Sequence, residues 1–144
     1  MLPLPVRVLL LHDHLVRTVR YDVTAPRRHS AAGALLDGRA VCDGYAAAFS
    51  LLANAAGIPC LTVTGEKDGI PHAWNLVKPD GTWYHADCTA DDADAGAPLH
   101  RFFLLPDSAM QGYVWERSAV PAADGGSLSY SMIAAEMSRQ RTSG

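Results

Sequence analysis

Gly38-Arg39-Ala40-Val41-Cys42-Asp43-Gly44-Tyr45-Ala46-Ala47-Ala48-Phe49 is the stretch on which the reading of the chain turns. A glycine-bearing turn delivers a cysteine to sequence rich in Ala and Leu, which favour helix, and the run continues to Ala56. Gly57 and Pro59 then supply a stop. Tyr45, Phe49, Leu52 and Ala56 fall at helical spacing on one face, and Cys42 extends that stripe by one turn. The thiol is therefore expected to face whatever the helix packs on. Unpaired N–H groups and partial positive charge at a helix start both stabilise a thiolate, the reactive form of cysteine. Cys42 is a candidate nucleophile. A free cysteine more often serves as a small buried hydrophobe, and what separates the two readings lies downstream.

After the helix, Leu61 and Val63 alternate with Cys60, Thr62 and Thr64, the period of a strand. Residues 66–70 read as a polar turn. Two strand-like runs follow, 71–77 and 82–89, joined by Lys78-Pro79-Asp80-Gly81, a tight-turn signal that predicts a hairpin. With an even loop, Val77 faces Thr82, Trp74 faces His85 and His72 faces Asp87, on one side of the sheet. A three-residue loop with a bulge would pair His72 with Cys88 and turn Asp87 to the other face. Sequence does not choose between them; the even loop is the one that gives chemistry, and it is the register expected here.

Upstream, Pro5 suits a helix start, and Val8, Leu11, Leu15 and Val19 form an apolar stripe. His12, Asp13 and His14 lie along this helix and read as surface residues. Residues 23–38 read as a loop. Beyond the hairpin, residues 91–98 read as a solvated acidic loop. Its Asp92-x-Asp94-x-Gly96 spacing is part of a calcium-loop pattern but lacks the closing glutamate. Arg101-Phe102-Phe103-Leu104-Leu105 reads as one more buried strand, and 112–126 as irregular. Ser127 could cap a last helix with Tyr130, Ile133, Ala134 and Met137 on one face. The expected elements are helices at 5–20, 42–56 and 127–140 around a sheet spanning 60–105.

A chain of 144 residues supports one domain with one core. With 49% hydrophobic and 19% charged residues, disorder is disfavoured. The net charge is −3 and the basic residues are scattered, which argues against nucleic-acid or anionic-membrane partners. Three cysteines without paired spacing argue against a disulfide framework. The apolar start carries Arg7, Pro3 and Pro5 and is neither a signal peptide nor a membrane span, so a reducing cytoplasm is the expected location.

A cysteine opening a helix, a histidine on a strand and an aspartate on the hairpin partner are the parts of a Cys-His-Asp triad. The histidine takes the thiol proton and returns one to the leaving group, and the carboxylate fixes the ring's tautomer. Val41-Cys42-Asp43-Gly44-Tyr45-Ala46, His72-Ala73-Trp74-Asn75 and Trp83-Tyr84-His85-Ala86-Asp87-Cys88-Thr89 resemble the three motifs of the bacterial transglutaminase-like superfamily. The 12–15 and 21–22 segments resemble its first helix, and 101–104 with Trp115 and Pro121 its closing segment. The resemblance implies an α+β papain-like fold, the Cys42 helix packed on a small antiparallel sheet. It also implies Cys42 as nucleophile, His72 as base and Asp87 as orienting carboxylate, acting on a protein or peptide substrate through a thioester.

Hydrolysis, as in a cysteine peptidase or amidase, is the expected outcome, with amine transfer as in a transglutaminase the variant of it. The alternative is a non-catalytic interaction domain that retains the fold. One departure is Ala90, where family members carry a tryptophan; another is that only the Cys42 N–H can be assigned to an oxyanion hole. No cofactor is implied. A zinc site built from Cys42, His72, Asp87 and Cys88 lacks any Cys-x-x-Cys or His-x-x-x-His spacing, and no metal is expected. Asn75 reads as a structural hydrogen-bonder, Trp74 and Tyr45 as packing, His85 as a contact behind the triad, and Cys60 and Cys88 as small strand residues.

Overall fold

Pro5 lies in the first turn of α1 (Leu4–Thr18), whose buried stripe is Val6, Val8, Leu9, His12, Leu15 and Val16. The computed structural model describes residues 2–93 and 96–143; Asp94, on which part of the calcium-loop spacing falls, lies outside them. Two short parallel strands, β1 (Arg20–Tyr21) and β2 (Arg39–Ala40), tie the end of α1 to the start of α2 (Cys42–Ala55). Between them the 23–38 segment is not all loop, since Gly33–Asp37 winds into a π-helical turn. Arg7 Nη1 donates 2.8 Å to the Ala56 carbonyl, placing a cation where the end of α2 leaves carbonyls unpaired.

The sheet is antiparallel in the order β6-β5-β4-β3-β7, made of β3 (Cys60–Lys67), β4 (Ile70–Val77), β5 (Tyr84–Ala86), β6 (Phe103–Leu105) and β7 (Tyr113–Trp115). Strands β3 and β4 form a long hairpin across Asp68-Gly69, both at positive φ (53° and 81°). An Asp-Gly pair of this kind matches the right-handed twist of its strands, so the turn read over 66–70 is a two-residue one.

Strand β7 is a correction to the irregular 112–126 reading. Its Tyr113-Val114-Trp115 alternates buried, exposed, buried and pairs with β3, opposing Trp115 to Gly65. The last helix, α3 (Tyr130–Ser143), also starts later than expected. Ser129 rather than Ser127 accepts from a first-turn N–H, that of Met132, at 3.3 Å.

Apolar side chains cover both faces of the sheet. On one, α1, α2 and α3 bury Val8, Leu15, Phe49, Ala53 and Ile133 against Cys60, Val77, Ala86 and Phe103. Complete burial of a side chain such as Phe49 is worth about 1.5–3 kcal/mol. The other face is closed by Val63, Trp74, Leu76, Met110, Tyr113, Trp115 and Ala123. Asn75, on the α2 side, donates from Nδ2 to the carbonyls of Ala46 and Leu61 at 3.0 and 3.2 Å, the structural role expected of it. The result is the α+β papain-like arrangement, with the cysteine helix laid on a curled antiparallel sheet.

The hairpin register differs from the expected one. Val77 pairs with Tyr84, Leu76 with His85 and Asn75 with Ala86, a slide of two positions along β5. The loop over 78–83 is longer than a tight turn because Asp80 folds it, accepting from the Thr82 N–H at 3.2 Å and the Tyr84 hydroxyl at 3.0 Å. A slide of two preserves the face of every side chain, whereas a slide of one would invert it.

Candidate active site

Cys42 is the first residue of α2. No side chain caps that terminus, since the preceding residue is Val41, in extended conformation. The first N–H groups of a helix carry partial positive charge, which places the sulfur in positive potential. The loop before α2 holds this turn in place, with the Val41 N–H donating 3.0 Å to the Arg28 carbonyl. Gly44 permits the approach: a Cβ there would lie 2.3 Å from the Arg28 oxygen and 2.8 Å from Ala40 Cβ. The glycine of the Cys-Asp-Gly-Tyr motif thereby fits the cysteine's turn against its own loop.

The two-residue slide takes His72 out of direct opposition to Asp87 and makes them diagonal neighbours on one face, still within reach. His72 Nε2 donates to Asp87 Oδ2 at 2.7 Å. A carboxylate only accepts, so this bond fixes the tautomer and leaves Nδ1 for the sulfur of Cys42, with which His72 hydrogen-bonds. The His72 bond lowers the Cys42 thiol below the usual range against the opposing effect of burial, aided by a bond from the Ala73 backbone N–H. Burial alone would lower the His72 imidazole, but its bonds to Asp87 and Cys42 outweigh it and push it up to about 9. The two shifts agree in sense. Both favour a thiolate–imidazolium pair.

Asp87 is almost wholly enclosed, with 1% of its side chain exposed. Tyr113 donates its hydroxyl to Oδ2 at 2.6 Å, and the Ala90 N–H donates to Oδ1 at 3.1 Å. Burial and the neighbouring Asp87 charge raise the Tyr113 phenol, which stays a proton donor. Tyr113 is the site residue the sequence reading missed; the aromatic-aliphatic-aromatic triplet in 113–115 is the signal that could have found it. At Ala90 the contact to Asp87 is made by backbone, so the departure from the family's tryptophan leaves it intact.

Behind His72 stands a second relay. Trp74 lies near-parallel to the His72 ring, with centroids 6.0 Å apart, and its indole N–H donates 2.9 Å to His85 Nδ1. Because an indole only donates, His85 Nδ1 accepts and the ring is neutral, its Nε2–H bonding Asp107 Oδ1 at 2.7 Å. Burial lowers the His85 imidazole in the same sense. His85 thus anchors Trp74 and does not touch the triad directly. The exposed His29 pairs with Asp43 at 2.9 Å on the outer side of the Cys42 turn.

Two sequence expectations fail at α1. His12 is completely buried, and Asp91 is too. His12 Nε2 meets Asp91 Oδ2 at 2.9 Å and Nδ1 meets Asp13 Oδ1 at 2.8 Å, so the residue read as surface is a buried link to the loop read as solvated. The Asp91 N–H donates to the Asp87 carbonyl at 3.2 Å, carrying this anchor to the triad's carboxylate segment. Cys60 and Cys88 are buried and free; Cys60 opens β3 as read, whereas Cys88 lies in the turn after β5 and not on a strand. Burial pushes the Cys60 thiol up to about 12 and raises that of Cys88.

The family model described as the transglutaminase-like superfamily matches residues 4–88, more than half of the chain and all three residues of the candidate triad. The chain belongs to the transglutaminase-like superfamily. That superfamily includes cysteine peptidases and transglutaminases and is generally enzymatic, though some members are non-catalytic. Kyphoscoliosis peptidase of Mus musculus is 31% identical over 116 residues, 69% of this chain but 18% of the mouse protein. The human protein of that name is 30% identical over 58% of this chain and 15% of its own length. The chain therefore spans under a fifth of the length of these curated relatives.

Among solved structures, a candidate cysteine protease of Cytophaga hutchinsonii superposes with a TM-score of 0.57 at 22% identity, covering 77% of this chain and 35% of that one. Calcium-bound LapG of Legionella pneumophila gives 0.56 at 15% identity, over 96% and 81%. At these identities the likeness is one of fold. No helix among the described residues is long and apolar enough to cross a membrane.

Proposed function

We propose that this transglutaminase-like chain catalyses cysteine-dependent acyl transfer at amide bonds, with Cys42 as nucleophile, His72 as general base and acid, and Asp87 as orienting carboxylate. The observation that carries the reading is the 2.7 Å bond from His72 Nε2 to the buried Asp87, which turns the other ring nitrogen toward a thiol lowered by that contact. The thiolate attacks the amide carbonyl and a tetrahedral oxyanion forms near the open first-turn N–H of Cys42. His72 gives its proton to the departing amine, leaving a thioester. Water then attacks, losing a proton to His72; the sulfur leaves as thiolate, the acid departs and the thiolate–imidazolium pair is restored. Hydrolysis of a protein or peptide amide is the favoured reaction.

Incubating the chain with a peptide library and, separately, with the same peptides plus a primary amine tests it, read by mass spectrometry of intact protein and products. A thioester on Cys42 and hydrolysed peptide, both absent in Cys42→Ala and His72→Ala, are expected. An amine adduct in place of hydrolysis would move the chain to the transglutaminase reaction. Absence of any thioester with reactive acyl donors would leave the non-catalytic interaction domain.

A further inference from the structure

On the far side of α1 from its N-terminus, His12, Asp13 and His100 converge with no part in the chemistry above. Asp13 Oδ1 lies 2.8 Å from both His12 Nδ1 and His100 Nε2, and the three ligand atoms lie within 4.8 Å of one another. We propose that these residues form a binding site for a divalent metal ion of the zinc class, with His12 Nδ1, Asp13 Oδ1 and His100 Nε2 as ligands and a fourth position open to water.

Two imidazoles and one carboxylate suit a borderline ion such as zinc. The outer contacts are those a metal-binding histidine requires. Asp91, fully buried, takes the Nε2–H of His12 at 2.9 Å, which leaves Nδ1 as the ligand atom, the carboxylate–histidine arrangement that orients metal ligands. His100 is held flat against the Tyr130 ring of α3, centroids 3.6 Å apart and planes within 6°. A cavity of about 260 Å³, lined by Asp13, Arg17, Tyr130 and Met137 among others, gives an approach from solvent.

Charge points the same way. Asp13 and Asp91 are two largely enclosed carboxylates; among the described residues their ion-pair partners are all histidines, and Asp91 also accepts from the Phe102 N–H at 3.0 Å. A tetrahedral ion about 2.0–2.1 Å from each donor sets the donors roughly 3.3 Å apart; the two 2.8 Å separations from Asp13 Oδ1 would open by about half an ångström and the two imidazole nitrogens, within 4.8 Å of each other, would settle around the ion. Binding replaces the protons on His12 Nδ1 and His100 Nε2, which leave to solvent, and no bond to carbon changes. The ion would staple α1 to the segment before β6, both of which flank the Asp87 loop.

The test is calorimetric titration of zinc chloride into the chelator-stripped full chain in a Cys42→Ser background, which removes the other thiol–imidazole pair that could take zinc. One ion per chain is expected, with proton release and a rise in melting temperature, and cobalt chloride should give the visible absorption of a tetrahedral nitrogen–oxygen site. His100→Ala, in the same background, should abolish binding while leaving far-ultraviolet circular dichroism unchanged; Asp13→Asn serves if that variant does not fold. The proposal is overturned if the background protein takes up no zinc and its melting temperature is indifferent to the ion. It is equally overturned if binding persists undiminished in a folded His100→Ala or Asp13→Asn.

Discussion

At the scale of single residues, the site depends on where protons sit. Cys42 ionises below an ordinary thiol and His72 holds its proton up to about 9, so the ion pair exists between those limits. Acyl transfer should rise with pH as the thiolate forms and fall again as pH passes through about 9 and the imidazolium loses the proton it gives the leaving amine. A pH–rate profile of kcat/KM in the parent chain checks this; a rate that keeps climbing through about pH 9 would contradict it. Tyr113→Phe removes one donor to the Asp87 carboxylate and leaves the ring. The loss of a buried bond to a charged group should cost about 1.5–3 kcal/mol in denaturant unfolding. It should also change the basic limb of the rate profile, since Asp87 is then freer to hold His72 as imidazolium.

The same scale shows what the sequence could and could not say. The placement of Cys42 at a helix start and the meeting of His72 with Asp87 were legible because each sits in a local motif whose neighbours announce its element: Ala-rich helix after the cysteine, alternating residues around the other two. Tyr113 was not, because a three-residue strand leaves almost no periodicity to read. His12 was misread because His-Asp-His on a helix looks like a polar face. Its partner Asp91 lies 79 residues away, and nothing local records that contact.

At the scale of elements, the hairpin explains why a register error left His72 and Asp87 in contact. The 78–83 loop is folded by Asp80, a side-chain effect that a Pro-Asp-Gly turn signal does not specify. The slide it imposed was even, so His72 and Asp87 kept a common face. Strand β7 depends on Gly65, where a Cβ would lie 2.1 Å from the Val114 oxygen. Gly65→Ala should push β7 off β3 and carry Tyr113 away from Asp87. Overpacking of this kind costs about 1–3 kcal/mol, so thermal unfolding should move down, and activity measured well below the transition should fall with it. A loss of stability with unchanged activity would separate β7 from the site.

At the scale of the molecule, three helices and a curled sheet are pinned together by polar contacts inside the apolar packing. The His12–Asp91 pair is the deepest of these, joining α1 to the loop that follows Asp87. Burial alone would lower the His12 imidazole, but bonds to Asp13 and Asp91 prevail and raise it. Asp91→Asn leaves that cation with one carboxylate, and breaking a buried charge pair costs about 3–5 kcal/mol; urea unfolding should register most of it as a lower midpoint. The chain matches under a fifth of its curated relatives' length, so the substrate and partners of a whole protein are questions for the acyl-transfer assay rather than for the relatives' names.

The most direct test of the central claim is the alkylation rate of Cys42 against pH, followed by mass spectrometry in the parent chain and in His72→Ala. Cys60 and Cys88, both buried with raised thiols, are controls within the same molecule. The account requires Cys42 to react well below the pH at which an ordinary thiol of pKa about 8.5 does, and to lose that advantage without His72. If Cys42 in the parent chain titrates like an ordinary thiol, or reacts no differently in His72→Ala, the thiolate–imidazolium pair is not formed and the proposed mechanism is wrong.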